Sequence, residues 1–299
     1  MAKISTPETR GKLLFDVSLS RYNTWGVGGN AQCVFHPADI EDLSDFLANT
    51  SDDVPITWLG LGSNVLIRDG GIKGVVIVTQ TGLKQIRFDL NSVYAEAGVA
   101  CAKLARATVA KNLIGVEFMA GIPGTVGGAL AMNAGAFGGQ TWPQVKYVDV
   151  INRAGKIINR SCDEYEYGYR FVKNFVGEWF VGASFDLELD QQGTKVVSIK
   201  ELLAHRADTQ PIGKKNCGSV FKNPKQGFAA SLIEQSGLKG FAIGGACVSK
   251  KHANFIINEG KATAEDIEQL MQHVQLTVKQ KSNVELEPEV KFLGDEEIK

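Results

Sequence analysis

The stretch Gly121-Ile122-Pro123-Gly124-Thr125-Val126-Gly127-Gly128-Ala129-Leu130-Ala131-Met132-Asn133-Ala134-Gly135-Ala136-Phe137-Gly138-Gly139 decides how the chain is read. More than a third of it is glycine, most of the rest is small, and nothing in it is charged. Glycine turns through φ > 0 and carries no Cβ, so such a run lets backbone N–H groups come close to a polyphosphate. Close packing of one backbone on another uses the same residues. The stretch alone leaves both readings open.

A second glycine turn lies upstream. Strand-like Ile56-Thr57-Trp58-Leu59 runs into Gly60-Leu61-Gly62-Ser63-Asn64-Val65-Leu66-Ile67. It begins as G-x-G, lacks the third glycine of the dinucleotide fingerprint, and continues into β-branched sequence rather than a helix, which excludes a Rossmann motif. A strand, a polar turn and another strand still offer backbone donors, the Ser63 hydroxyl and the Asn64 amide to a phosphate or ribose. An ordinary hairpin turn is the alternative.

Composition narrows the partners. The 299 residues suggest two domains, or one with a smaller companion. Lys and Arg number 32 against 33 Asp and Glu, a formal charge of −1, so there is no basic field for nucleic acid or an anionic membrane. Small molecules are the expected partners. No apolar run approaches the roughly 20 residues that span a bilayer, and the first residues hold no apolar signal-peptide core, so a cytoplasmic protein is expected. Cys33, Cys101, Cys162, Cys217 and Cys247 are dispersed without a C-x-x-C pair, and His36, His205, His252 and His273 lack metal-ligand spacing. Free thiols and no metal follow.

Elsewhere the pattern alternates short strands and helices. Tyr22 to Asn30 is a turn-rich loop before the strand Ala31-Gln32-Cys33-Val34-Phe35, which Pro37 ends. Asp39 caps a helix carrying Leu43, Phe46 and Leu47. Residues 75–78, 84–88 and 92–95 read as strands, and a helix around Cys101, Leu104, Ala105 and Thr108 ends near Asn112. Residues 144–158 read as a hairpin, and 179–189 as β structure. Between them Tyr165-Glu166-Tyr167-Gly168-Tyr169-Arg170 packs three aromatics and an arginine around one glycine, as a site wall would. A polar turn over 190–195 marks a domain boundary. Ser198 and Glu201 form a capping-box signature for the next helix. Residues 210–224 are a polar loop, 229–236 a helix stopped by Gly237, and 253–258 a strand. Thr263 and Asp266 cap a helix with Ile267, Leu270, Met271, Val274 and Val278 at helical spacing, and 284–290 close the chain as an extended strand.

Four segments in order resemble one family: residues 60–64, the Ile122-Pro123-Gly124 stretch through Gly138, Gly218-Ser219-Val220-Phe221-Lys222-Asn223-Pro224, and Leu286-Glu287-Pro288-Glu289-Val290, with Tyr169-Arg170 between the second and third. The family is that of the UDP-N-acetylenolpyruvoylglucosamine reductases, FAD enzymes of peptidoglycan precursor synthesis, and the likeness runs from about Asn23 to the C-terminus. It implies an α+β fold: a two-part FAD-binding domain of the vanillyl-alcohol-oxidase type over residues 21–192, after an N-terminal segment 1–20. A smaller α+β substrate-binding domain follows over 193–299, ending in a catalytic strand.

The resemblance also implies roles. Arg170, Ser219 and Glu289 match the catalytic positions, and Tyr169, Gln210, Asn223 and His252 the substrate contacts. The glycine turns, through Gly60, Gly62, Ser63, Asn64, Gly121, Ile122, Pro123, Gly124, Thr125, Gly127, Gly128, Asn133 and Ala136, would hold tightly but non-covalently bound FAD. NADPH would be the hydride donor, and a UDP-sugar, UDP-N-acetylglucosamine enolpyruvate, the substrate of a monomeric enzyme. Arg170 suits a carboxylate that gains charge, because guanidinium is permanently charged and offers two parallel donors. Glu289 would hold the arginine or, as a neutral acid, donate to the carboxylate. Phe137 stands where some relatives have tyrosine, and the short interval between Leu189 and Ser198 marks the compact form of the family, without the long loop that closes over substrate. Another FAD-dependent oxidase or dehydrogenase on the same cofactor domain is the competing function.

Overall fold

The computed structural model describes residues 6–173, 176–191 and 195–297, with the backbone alone for 195–198. The chain divides into two compact units. One comprises the residues up to Phe15, Cys33–Leu61 and Gly74–His205; the other comprises Asp16–Gln32, Gly62–Lys73 and the chain from Arg206 onward.

The first unit has two α+β parts. In one, helix α1 (Ile40–Ala48) starts at Asp39, whose side chain accepts from the Asp42 N–H. It buries Leu43, Phe46 and Leu47 against Cys33, Phe35, Val75 and Ile77 of a sheet ordered Lys12–Ser18, Asn30–His36, Ile72–Val78, Ile56–Leu59. The Phe35 and Phe46 rings stack at 4.0 Å. The other part is a five-stranded antiparallel sheet, ordered Ile157–Ser161, Val145–Asn152, Glu178–Asp186, Ser92–Glu96, Ile86–Asp89. Alternate residues of these strands, Val93, Ala95, Val148, Val150, Ala183 and Phe185, face Leu104 and Ala105 of α2 (Cys101–Val109) and Ala129 and Leu130 of α3 (Val126–Met132). The expected hairpin at residues 152–156 closes this sheet's edge.

Helix α4 (Lys195–Thr209) starts three residues before the expected cap, so Ser198 lies within it. An S-x-x-E pattern marks a helix start only where the serine leaves helical geometry, and here the three preceding residues are already helical. The turn expected over 190–195 falls partly outside the described residues.

The second unit is built on α6 (Ala264–Ser282), where Thr263 and Asp266 cap each other's backbone in the expected capping box. Ile267, Leu270, Met271, Val274 and Val278 are all buried, as their spacing requires. Beside α6 lie α5 (Ala229–Gln235), ended by Gly237 at φ 77°, and a small antiparallel sheet of Ala242–Ile243, Ala246–Val248 and Ile256–Asn258. The strand expected over 253–258 is thus shorter, because residues 253–255 turn into it. The glycine turn at 60–64 is not a hairpin. Ile56–Leu59 pairs in parallel with Ile72–Val78, whereas Val65–Ile67 pairs in parallel with Lys291–Leu293. The closing strand is therefore Lys291–Leu293, and residues 284–290 are an irregular lead into it with one bridge, Phe221 to Pro288.

Trp25 anchors the N-terminal loop in this unit. It is fully buried among the α6 core residues, its indole N–H donates to the Ile256 carbonyl at 2.8 Å, and its own carbonyl accepts from the Asn258 amide at 2.8 Å. Trp25→Ala is expected to lower stability by about 3–5 kcal/mol, read by urea denaturation, since it removes a large core side chain and its bond. A midpoint matching the parent protein's would show that the loop does not hold this core.

Candidate active site

In the first unit the glycine-rich stretch resolves into two kinds of position. Ideal Cβ atoms at Gly121 and Gly127 would lie 2.4 Å from the Phe137 ring and 2.8 Å from the Ala97 Cβ, and one at Gly60 would lie 2.5 Å from the Thr125 hydroxyl. These glycines let backbone and side chains pack closely. Gly128 is different: it is exposed, and its Cβ would meet nothing nearer than the Thr125 hydroxyl at 3.7 Å. Gly138, at φ 83°, has open space on the same test.

The backbone donors are mostly spent. Ile122 and Gly124 donate to Met119 and Ile122 carbonyls, Val126 and Gly127 to Val99 and Ala97, and Gly128 to the Thr125 hydroxyl that caps α3. Asn133 ends α3 in the left-handed region, and its buried amide binds the Gln140 side chain, the Gly168 carbonyl and the Trp142 N–H. What this face offers a ligand is room, with few unpaired N–H groups.

Arg170 lies against the same stretch, donating to the Gly135 carbonyl at 3.1 Å. Its guanidinium stands 5.4 Å from the centre of the exposed Tyr169 ring. Its backbone is left-handed at φ 61°, a region that costs a non-glycine residue about 1–2 kcal/mol and is concentrated at functional sites. Of the other aromatics of the expected wall, Tyr165 is buried while Tyr167 remains exposed. Tyr165 and Tyr167 lie 4.8 and 5.5 Å from the Trp142 ring, and burial pushes the Tyr165 phenol up to about 12.

In the second unit the backbone of Glu289 bonds to the neighbour of Ser219 and to the Asn64 side chain. The Val220 carbonyl, one residue after Ser219, accepts from the Glu289 N–H at 2.8 Å, and the Asn64 amide donates to the Glu289 carbonyl at 3.2 Å. Gly62 packs on the Tyr22 carbonyl, where a Cβ would be 2.0 Å away. Ser219 and Glu289 are both half-buried, and Gly218 before Ser219 takes φ 74°. Asn223 is exposed and accepts from the Ala229 N–H at the start of α5. Gln210 is bound by the Arg206 side chain at 2.9 Å.

His252 is half-buried, and its Nδ1 accepts from the Asn254 N–H at 3.3 Å, which leaves its proton on Nε2. Burial, with a smaller contribution from Lys239, lowers its pKa below the usual histidine value, so it is a neutral donor at physiological pH. Cys217, two residues before Ser219, is buried, its thiol is pushed up to about 12 by that burial, and its S–H is spent on the Val65 carbonyl at 3.5 Å. Among the described residues no group of three His, Cys, Asp or Glu could hold a metal ion.

Two residues went unmarked in the sequence. Trp25 has no local signal, since a tryptophan in a glycine-rich loop reads equally as surface. Asn254 had one: it is the only polar residue inside the run Ala253-Asn254-Phe255-Ile256-Ile257, and a buried amide in such a run must find partners.

Known proteins are similar to this chain in sequence and fold. A family model described as UDP-N-acetylenolpyruvoylglucosamine reductase, C-terminal domain, matches residues 210–293, and one described as FAD binding domain matches residues 31–161. The UDP-N-acetylenolpyruvoylglucosamine reductase of Legionella pneumophila (strain Corby) is 52% identical over 293 residues, covering 97% of this chain and 95% of the relative. That of Methylococcus capsulatus is 50% identical over 295 residues, 98% of this chain and 97% of its own length. Among solved structures, the Thermus caldophilus enzyme of the same name superposes with a TM-score of 0.81 at 30% identity, over 96% of this chain and all of that one. From its four motifs, its fold and these full-length likenesses, the chain belongs to the UDP-N-acetylenolpyruvoylglucosamine reductase family.

Proposed function

We propose that this protein reduces UDP-N-acetylglucosamine enolpyruvate to UDP-N-acetylmuramate with NADPH as hydride donor and FAD as carrier, supplying a precursor of peptidoglycan. The observation that carries the reading is the bond from the Glu289 N–H to the Val220 carbonyl, which sets the Ser219 loop beside Glu289. We take residues 21–192 as the cofactor domain, residues 193–299 as the substrate domain, and the enzyme as a cytoplasmic monomer. No helix among the described residues is long and apolar enough to cross a membrane.

The residues fit the cofactor. Gly128 is exposed and leaves the space in front of α3 open, as the approach of a pyrophosphate requires. Gly124, Thr125, Ala136, Ser63 and Asn64 are the polar and small groups that the family resemblance assigns to it, with Gly121 and Gly127 held in place by close packing and Asn133 by its own hydrogen bonds. Bound FAD supplies a two-electron carrier that takes hydride from NADPH and delivers it to the β-carbon of the enolpyruvyl group. Arg170 holds the substrate carboxylate with two donors as charge builds there. Glu289 either holds the arginine in place or, as a neutral acid, donates to the same carboxylate. Ser219 gives the proton to the α-carbon. Tyr169, Gln210, Asn223 and His252 contact the sugar nucleotide, His252 as a neutral Nε2–H donor.

Purified protein is expected to be yellow, to bleach with NADPH without oxygen, and to regain colour rapidly with the enolpyruvyl sugar nucleotide but slowly with air. Fast recovery in air and none with the sugar nucleotide would make it an oxidase instead. The sequence holds no second dinucleotide fingerprint, so NADPH and substrate use one site in turn. Initial-rate lines should be parallel, and intersecting lines would reject the shared site.

A further inference from the structure

We propose that Asn254 is a positioning residue that aims Ser219 at the α-carbon. This rests on the reading of Ser219 as the proton donor. Asn254 is 3% exposed and spends its side chain on one neighbour: its Nδ2 donates to the Phe221 carbonyl at 2.8 Å and its Oδ1 accepts from the Phe221 N–H at 3.0 Å. Its own carbonyl accepts from the Val220 N–H at 2.9 Å. One asparagine thus pairs with two successive residues as an adjoining strand would, although residues 219–221 lie in no strand. Val220 and Phe221 are both buried, so water cannot replace these bonds.

The opposite edge of the segment is held by the residues around Glu289. The Val220 carbonyl accepts from Glu289, and the Lys222 N–H donates to the Glu287 carbonyl at 2.9 Å. Upstream, Gly218 has the left-handed φ of 74° and its N–H is bound by the Asn216 side chain at 3.0 Å, so the chain turns sharply just before Ser219. Ser219 therefore sits between a turn and a dipeptide clamped on both edges. On the dipeptide itself the Asn254 amide is a side-chain clamp, and so one that a substitution can remove.

Aim matters because of the chemistry. Hydride addition at the β-carbon leaves an electron pair at the α-carbon, delocalised into the carboxylate; the Ser219 O–H bond breaks as the new C–H bond forms, and the serine oxygen regains a proton from solvent. A hydroxyl is a weak acid in water, so the step depends on alignment, and a misplacement of about 1 Å costs about a hundredfold. A residue that only glued the fold would affect both half-reactions alike.

The test is single-turnover stopped-flow on FAD-loaded Asn254→Ala and Asn254→Ser. The amplitude counts folded holoenzyme and the rate constant reports the site, so partial misfolding does not mask the result. Reoxidation by the enolpyruvyl substrate is expected to slow by about ten- to a hundredfold while reduction by NADPH stays within about twofold. The double variant Ser219→Ala with Asn254→Ala should reoxidise no more slowly than Ser219→Ala alone, because both changes act through one hydroxyl. Equal slowing of the two half-reactions, or additive losses in the double variant, would overturn the positioning role. Normal reoxidation in both Asn254 variants beside a slow Ser219→Ala would overturn it too, with the serine's role intact; normal reoxidation in Ser219→Ala itself would remove the underlying reading. Should Asn254→Ala carry no flavin, Asn254→Ser decides.

Discussion

Ser219→Ala is expected to leave flavin reduction by NADPH near normal and to slow flavin reoxidation by the enolpyruvyl substrate at least about a hundredfold. The hydroxyl is asked only to protonate a strongly basic carbon, so transfer is downhill once donor and acceptor are aligned. The loop over 210–224 holds no histidine, and the Cys217 thiol is buried with its S–H bound to the Val65 carbonyl. The bonds that clamp the loop run through the backbones of Val220 and Phe221, so alanine at 219 removes the hydroxyl and leaves the loop in place. Ser219→Cys should keep part of the activity. Stopped-flow absorbance separates the two half-reactions; equal losses would make Ser219 a shaper of the flavin pocket, and no loss would take it out of the mechanism.

Gly128→Val should give folded, colourless protein. Gly128 is exposed, and the nearest atom to an added Cβ is the Thr125 hydroxyl at 3.7 Å, an ordinary contact. A branched side chain on an exposed turn of α3 changes stability only slightly, since valine is a better helix residue than glycine. Any loss of flavin then reports the space in front of the helix. Gly127→Val is the contrast, because its Cβ would lie 2.8 Å from that of Ala97 and strain the protein itself. Flavin content per folded protein, from the absorbance ratio and circular dichroism, decides the matter. Full occupancy in folded Gly128→Val would make the whole stretch a packing corner.

The elements whose signal is local were legible in the sequence. Helix α6 shows why: its capping box and its apolar spacing are both short-range, and each is met in the structure. The same holds for Asp39 and α1. Features decided by distant partners were not. Nothing local tells that the glycine turn at residues 60–64 sends its following strand to Lys291–Leu293, or that Lys291–Leu293 rather than residues 284–290 would be the closing strand. Ser198 misled because a capping pattern also occurs inside a helix that starts earlier. The assignment of Arg170, Ser219 and Glu289 to the site rests on residue types and order, through the family resemblance. The left-handed backbone of Arg170 and the spent donors of the glycine stretch needed coordinates, since both depend on what the chain folds against. Of the two readings of that stretch, close packing holds at Gly121 and Gly127, and open space is left at Gly128.

Trp25 sets a schedule for biosynthesis. Its hydrogen-bond partner lies 231 positions later in the chain. At the usual 5–20 residues per second of translation, the indole is synthesised roughly 10–50 s before the carbonyl that receives it. During that interval a large aromatic side chain belonging to a buried core has no core to enter, and the nascent chain exposes it to chaperones and to other ribosome-bound chains. Contacts of such long sequence separation also slow folding once synthesis is complete. A fragment beginning at Arg206 would lack both Trp25 and the Val65–Ile67 strand that pairs beside Lys291–Leu293. The C-terminal segment is thus a late-arriving half of a core whose other pieces were made first, and it matures only when the whole chain has left the ribosome.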